Sequence, residues 1–311
     1  MILVTGASGL LGANLLLQAR DAGREIVGLC HSQPLSVPSV PMYATDLTDF
    51  SDARAVITKL RPAAIIHCAA ATAVDWCENH PVETNRINVQ TSAHLAKLAA
   101  ELKAKFVYIS TDSVFDGARG NYSESDLPCP LNMYARSKLS GERAALRENP
   151  DALVVRVNIY GWNAQEKQSL AEWILGELLA RREVSGFTDV IFSPLLVNDL
   201  ADALLRMVDL QLSGTYHVTG SQAISKFEFA RILARIFGAD DALIVQARVA
   251  DAKLRAPRPR NTSLNTQKLQ RALGMPLPGV EAGLRRFKNL QETGYVQRLK
   301  DCVSEAVECQ T

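Results

Sequence analysis

The chain opens on a short apolar run, Ile2-Leu-Val-Thr5, that empties into Gly6-Ala-Ser-Gly9-Leu-Leu-Gly12 and then into an apolar helical stretch. A strand, a three-glycine turn and a helix in immediate succession tightly constrain the fold. Gly6 permits the tight turn, Gly9 lets backbone approach a diphosphate, and Gly12 lets the helix pack closely on the strand. A helix starting there presents free N–H groups and the positive end of its dipole to an anion. The pattern predicts dinucleotide binding, with Gly6, Ser8, Gly9, Leu10, Leu11 and Gly12 as candidate contacts.

The rhythm beyond the turn agrees. Ile2 to Val4, Glu25 to Leu29, Ala63 to Cys68, Phe106 to Ser110 and Leu153 to Val157 read as buried strands. Leu10 to Ala22, Ser51 to Leu60, Glu83 to Ala104 and Tyr134 to Glu148 read as helices, with Gly23 placed to end the first and Ser51 to cap the second. Such alternation predicts an α/β fold, a Rossmann-type doubly wound parallel sheet, with a smaller C-terminal substrate-binding lobe. Residues 1–160 are assigned to the dinucleotide-binding domain, with later returns to the sheet, 161–295 mainly to the lobe, and 296–311 to a tail; the polar stretch Tyr295 to Thr311 reads as a frayed helix or an oligomer contact, with a homodimer as the candidate assembly. Further helices are expected at Gln168 to Arg181, Asn198 to Leu210 and Lys226 to Phe237, whereas Arg255-Ala-Pro-Arg-Pro-Arg260 cannot be helical.

Lysine and arginine number 34 against 33 acidic residues, so net charge offers no argument for nucleic acid or an anionic membrane. No uncharged apolar run approaches the roughly 18 residues needed to cross a bilayer, and Met1 runs straight into structure without a basic leader. The six cysteines, Cys30, Cys68, Cys77, Cys129, Cys302 and Cys309, contain no Cys-x-x-Cys pair, which argues against a disulfide framework and a zinc site. A reduced, cytoplasmic setting is expected, with no metal.

Two further signals carry chemistry. Tyr134-Ala-Arg-Ser-Lys138 puts a phenol and an ammonium on one helix face. A tyrosine of ordinary pKa, about 10, is a poor proton shuttle near neutrality, and a nearby lysine cation should lower it. The fifth strand ends in Ser110-Thr111-Asp112, at the carboxyl edge where doubly wound sheets hold ligands, so a hydroxyl there can hold a substrate carbonyl oxygen beside Tyr134. After the second strand the chain reads Leu29-Cys30-His31-Ser32, without the carboxylate that binds the ribose 2′-hydroxyl of NAD. His31 and Ser32 are candidate donors to a 2′-phosphate, so NADP(H) is preferred and NAD(H) remains open. Asp46 and Leu47 lie where an acid commonly meets adenine, with helix capping as the other reading of Asp46.

With these residues in this order, the chain resembles the extended short-chain dehydrogenase/reductase superfamily, nearest its dTDP-4-dehydrorhamnose reductase branch. The resemblance is carried by His67-Cys-Ala-Ala-Ala71-Thr-Ala-Val-Asp75, Ser110-Thr-Asp-Ser-Val-Phe-Asp-Gly117, Pro130-Leu-Asn-Met-Tyr134-Ala-Arg-Ser-Lys138-Leu-Ser-Gly-Glu142 and Arg258-Pro-Arg-Asn-Thr-Ser-Leu-Asn265. It implies a catalytic set of Thr111, Tyr134 and Lys138, with Tyr134 and Lys138 also touching the cofactor. It places Ala69, Ala70 and Ala71 in the cofactor groove, and Thr72, Val74, Trp76, Asp112 and Ser113 against a sugar. Arg258 and Arg260 are candidates for a nucleotide diphosphate or for loop packing.

This chain departs from the branch in three places. Ser113 stands where a tyrosine is usual, Arg156-Val-Asn-Ile-Tyr160 lacks the branch's Ser-Trp pair, and Leu10-Leu11 stand where glutamine is common. The chain is similar as well to the non-catalytic β subunit of methionine adenosyltransferase. The expected activity is NADPH-dependent reduction of a nucleotide-linked 4-keto-6-deoxy sugar, with a regulatory subunit or a nucleotide-sugar epimerase as alternatives. A 4,6-dehydratase is disfavoured because Ser113 follows Thr111-Asp112 where that chemistry needs a glutamate. His67 and Trp162 read as core residues, and Arg285-Arg286-Phe-Lys288 as a solvated helix face.

Overall fold

The computed structural model describes residues 1–33, 35–252 and 256–303. Its centre is a seven-stranded sheet of β1 (Ile2–Thr5), β2 (Ile26–Cys30), β3 (Met42–Ala44), β4 (Ala64–His67), β5 (Lys105–Thr111), β6 (Leu153–Val157) and β7 (Gly214–His217). The strands run in the order β7-β6-β5-β4-β1-β2-β3, and every pairing is parallel. The chain winds outward in both directions from β1, and the reversal opens a crevice at the carboxyl ends of β1 and β4.

Alternation along the strands explains why both faces are covered. Val4, Ile66, Val107 and Val155 enter one apolar core, while Leu3, Ile65, Phe106 and Val154 enter the other. The first core is closed by helix α1 (Leu10–Asp21). The second takes Ile57 from α2 (Phe50–Leu60), Leu95 and Leu98 from α3 (Thr91–Glu101), and Ala145 from α4 (Met133–Glu148).

Several local expectations are corrected. Asp49, not Ser51, caps α2, its carboxylate accepting from the backbone N–H groups of Ser51 and Asp52. The stretch expected as one helix over Glu83 to Ala104 divides into Pro81–Asn85, a π-helical turn at Arg86–Gln90, and α3. That turn aims Asn88 at the cleft loops, a common use of a π-bulge. A short helix at Val74–Asn79 precedes it. Gly23 follows α1 at φ +70°, as a terminating glycine should.

Beyond β6 come α5 (Leu170–Leu179), α6 (Val197–Asp209), α7 (Lys226–Phe237), α8 (Val280–Glu292) and α9 (Tyr295–Asp301), with three two-stranded pairings among short segments. β7 returns to the sheet beside β6. Residues 256–260 are non-helical as expected, while Arg255 and the tail beyond Val303, with Cys309, lie outside the described residues. Asn14 of α1 joins the later elements to the sheet: its amide donates to the Trp162 carbonyl at 2.9 Å, and its oxygen accepts from the Tyr295 hydroxyl at 2.9 Å.

The Arg285–Lys288 stretch is a solvated face only in part. Arg285 pairs with Glu281 in solvent, but Arg286 pairs with the buried Asp199 and with Asp202, and Phe287 is fully buried. Trp162 is packed as expected, stacked on Phe287 at 4.1 Å with its indole N–H on the Phe287 carbonyl. Among the described residues no helix is long and apolar enough to cross a membrane.

Candidate active site

The glycine turn has the form its spacing predicts. Gly6 sits at φ +62°, and a Cβ there would lie 2.6 Å from the Ala69 nitrogen; a Cβ at Gly12 would lie 2.3 Å from the Gly6 carbonyl oxygen. Neither position tolerates a side chain, because two backbone segments meet there. Gly9 is exposed, and α1 begins on it with no side-chain cap and no acid in its first turn. Free amide donors, the helix dipole and bare backbone therefore face one opening, which suits the diphosphate of a dinucleotide.

That opening is the end of a cavity of about 660 Å³. Its walls hold the turn residues Gly6, Ser8, Gly9, Leu10, Leu11 and Gly12, then His31 and Ser32, and then Ala69, Ala70 and Thr72. Thr111, Asp112, Ser113, Tyr134 and Lys138 close the far wall. The fold thus gathers both candidate groups, cofactor and catalytic, in one cleft at the carboxyl edge of the sheet. Seven candidates lie outside its walls: Asp46, Leu47, Ala71, Val74, Trp76, Arg258 and Arg260.

Each of these has another occupation where contacts are defined. Asp46 accepts from the Thr48 amide and hydroxyl, both at 2.8 Å, so it builds a turn ahead of α2. Ala71 is bracketed by Asn88, whose amide group pairs with its N–H and carbonyl at 2.9 and 3.0 Å. Trp76 stacks on His80 at 4.5 Å. Arg258 reaches Asp75 at 3.2 Å, the loop ion pair allowed for it, and its Nη1 is buried without a partner. Arg260 is exposed, with its backbone carbonyl accepting from Ile191.

Tyr134 stands in the first turn of α4, which is capped twice. The Asn132 side chain accepts from Ala135 N–H at 2.9 Å, and the Glu78 carboxylate accepts from Met133 N–H at 3.0 Å. The phenol shares the cavity wall with the Thr111 hydroxyl, which acts to hold its pKa down. The Thr111 hydroxyl donates to Asp112 at 3.2 Å and accepts from Ser113 N–H at 3.1 Å. Asp112 is buried, and its other oxygen accepts from Asn158 at 2.7 Å and from the Thr262 hydroxyl. Burial pushes its pKa up, against those donors.

The protonation picture differs from the sequence expectation. Tyr134 is pushed up to about 12, by burial first, with the Thr111 hydroxyl opposing and the Asp112 carboxylate adding to the rise. Lys138 is itself pushed down to about 7 by burial, with the Glu142 carboxylate opposing. Its ammonium lies 4.2 Å from the centre of the buried Tyr108 ring. The lysine, then, does not lower the phenol; desolvation governs both groups. A phenol neutral at pH 7 is in the state that donates a proton.

Beneath this pair lies a buried network that sequence reasoning missed. Glu142, one turn beyond Lys138, takes a two-pronged bond from Arg156 at 2.9 and 2.8 Å and accepts from the Ser110 hydroxyl. His217 on β7 meets Arg156 at 3.3 Å and is held near pKa 3 by burial and the guanidinium. The i, i+4 spacing of Lys138 and Glu142 was the signal available. Tyr108 and Asn88 gave none, since their roles depend on packing between elements. His67 is a satisfied core histidine, between the hydroxyls of Thr5 at 2.7 Å and Ser92 at 3.1 Å.

A glycine turn, a threonine and a tyrosine on one cavity wall and a lysine one turn on, at the switch point of a 3-2-1-4-5-6-7 sheet, define the extended short-chain dehydrogenase/reductase class. Within it, the chain belongs to the RmlD substrate binding domain family, whose pattern matches residues 1–292. It is 33% identical over 285 residues to the probable low-salt glycan biosynthesis reductase Agl14 of Haloferax volcanii, covering 90% of this chain and 95% of that protein. It is 32% identical over 278 residues to the bovine (Bos taurus) methionine adenosyltransferase 2 subunit beta, covering 86% and 81%. The structure superposes on dTDP-4-dehydrorhamnose reductase from Bacillus anthracis in complex with NADP with a TM-score of 0.82, at 29% identity, over 93% of this chain and 98% of that one.

Proposed function

We propose that this protein is an NADPH-dependent reductase of a nucleotide-linked 4-keto-6-deoxy sugar. The observation that carries the reading is the convergence of Thr111, Tyr134 and Lys138 on the cavity that begins at the open N-terminus of α1. The residues present fit a nicotinamide dinucleotide, with bare backbone at Gly9, an uncapped helix end, and space reaching to Tyr134. When bound, that cofactor supplies the hydride for the sugar's C4 carbonyl. Thr111 holds the carbonyl oxygen, and Tyr134, neutral up to about pH 12, delivers the proton to it. Lys138 holds the ribose and places positive charge beside the phenol as the proton leaves. Of the sugar-facing candidates, Thr72, Asp112 and Ser113 line the same cavity and complete the substrate end.

The adenosine end supports NADP over NAD. His31, Ser32 and Gln33 line it, and among the described residues no carboxylate does; Asp46 accepts from Thr48 in its own loop. A carboxylate there would repel a 2′-phosphate. The test is NADPH oxidation on mixing the protein with a dTDP-4-keto-6-deoxy sugar, with NADH in parallel. Rapid oxidation, faster with NADPH, is expected; tight NADPH binding without oxidation by any such sugar overturns the reductase reading. That second outcome favours a regulatory subunit, a reading supported by the 32% identity to the methionine adenosyltransferase subunit, and capture of a partner enzyme would then decide it.

A further inference from the structure

One cation on the cavity wall has no part in the proposed chemistry. Lys167 belongs to the loop between Gly161 and Ser169, which is firmly built. Asn163 donates to the Lys167 carbonyl at 2.6 Å and takes the Gln165 N–H on its own oxygen at 3.2 Å. The Ser169 hydroxyl closes the loop by donating to the Gly161 carbonyl at 2.6 Å. Upstream, the Asn14 amide ties the Trp162 carbonyl to α1, the helix that starts at the glycine turn. From this anchored base the Lys167 side chain crosses to the other bank of the cleft, where its ammonium donates to the Thr72 hydroxyl at 3.1 Å.

That is a weak partner for a full charge. Among the described residues Lys167 makes no ion pair, and the Thr72 hydroxyl is its side-chain partner. A flexible four-carbon stem loses rotamer entropy when it holds one geometry. A single neutral hydroxyl returns little for that loss. A ligand oxyanion between the two banks would pair with it far better. The glycine turn, which lines the same cavity, supplies amide donors and a helix dipole but no cationic side chain, so a diphosphate bound there carries charge that those groups only partly balance.

We propose that Lys167, which donates to Thr72, is the cation that pairs with a diphosphate in this cleft. Resting on the dinucleotide reading of the site, the proposal adds a recognition residue to it. Two sources carry that chemistry, the dinucleotide and the nucleotide sugar, and they part in the experiment.

The variants are Lys167→Met, which keeps the stem and removes the charge, and Lys167→Arg, which keeps the charge. Dissociation constants are measured directly for NADPH and NADH, and for dTDP on the NADPH-loaded protein, at low and moderate salt. Lys167→Met weakens both NADPH and NADH, or else dTDP, by roughly three- to tenfold, flattens the salt dependence of that ligand, and Lys167→Arg restores most of the loss. Equal loss for NADPH and NADH assigns the dinucleotide diphosphate; loss for dTDP alone assigns the sugar nucleotide. Unchanged constants for all three ligands overturn the proposal, as does a loss confined to NADPH, which would point to the 2′-phosphate. Because the readout is binding, it stands apart from turnover. Failure of the wild type to bind either dinucleotide would instead overturn the reading beneath it.

Discussion

Glu142 ties the stability of the sheet to the charge on Lys138, and replacing it by glutamine separates the two. The carboxylate and Arg156 are both nearly inaccessible to solvent, 4% and 6% exposed, and joined by two bonds at 2.8 and 2.9 Å. Breaking such a pair from one side costs about 3–5 kcal/mol, because the remaining charge stays buried without compensation. Glutamine keeps one acceptor for Arg156 or Ser110, and His217 at 3.3 Å offers a second contact, so the lower end, about 3 kcal/mol, applies. With a urea slope of roughly 3 kcal/mol per molar, the top of the range for smaller domains, the midpoint falls by about 1 M. Urea unfolding followed by tryptophan fluorescence reads this directly, since Trp162 is buried. The double variant Glu142→Leu, Arg156→Leu should recover much of the loss, as apolar replacement of a buried pair is often nearly neutral. A shift below about 0.3 M for Glu142→Gln, or a double variant as unstable as the sum of the single ones, refutes this account of the network.

Three further outcomes are expected. Lys138 loses its proton near pH 7 and Tyr134 only near 12, so kcat/KM for carbonyl reduction falls as pH rises through about 7, and Lys138→Arg moves that limb upward; a profile flat to pH 9 contradicts it. His67 and His217 are held neutral to about pH 3 against 6.5 when unfolded, so the unfolded chain binds more protons below 6.5. Stability is therefore lost as pH falls through that window, by about 1.4 kcal/mol per pH unit for each histidine, and His67→Gln should flatten the dependence of the urea midpoint on pH. Glu78→Ala removes one cap from the helix that carries Tyr134, costing about 1 kcal/mol and lowering kcat while the NADPH dissociation constant stays within twofold, and Glu78→Gln should restore part of both.

Local signals carried the fold a long way. The strands β1, β2, β4, β5 and β6 and the helix α7 fall where apolar periodicity puts them, because each is buried on a face that its own sequence pattern declares. The edge strand β7, Gly-Thr-Tyr-His, was not visible: four mixed residues have no period, and their place depends on pairing with β6 some sixty residues earlier. The helix expected over Glu83 to Ala104 failed differently, since a π-turn arises from the pull of Asn88 on Ala71 and Ser137 rather than from propensity. Within the site, the glycines, Thr111, Tyr134 and Lys138 were legible because they form contiguous motifs. Lys167 and Glu78 were not, since they act across 95 and 55 positions of chain. The direction of the Tyr134 shift also escaped, because burial outweighs the lysine and burial is not written in a motif.

The proton donor is the centre of the proposed chemistry, and Tyr134→Phe tests it with one substitution and two readouts. NADPH oxidation by the dTDP-4-keto-6-deoxy sugar should fall by at least roughly a hundredfold, the size of a lost general acid. The NADPH dissociation constant should change by no more than about twofold, since the glycine turn and the open end of α1 are untouched. Normal turnover in Tyr134→Phe would contradict the assignment of Tyr134 as the donor.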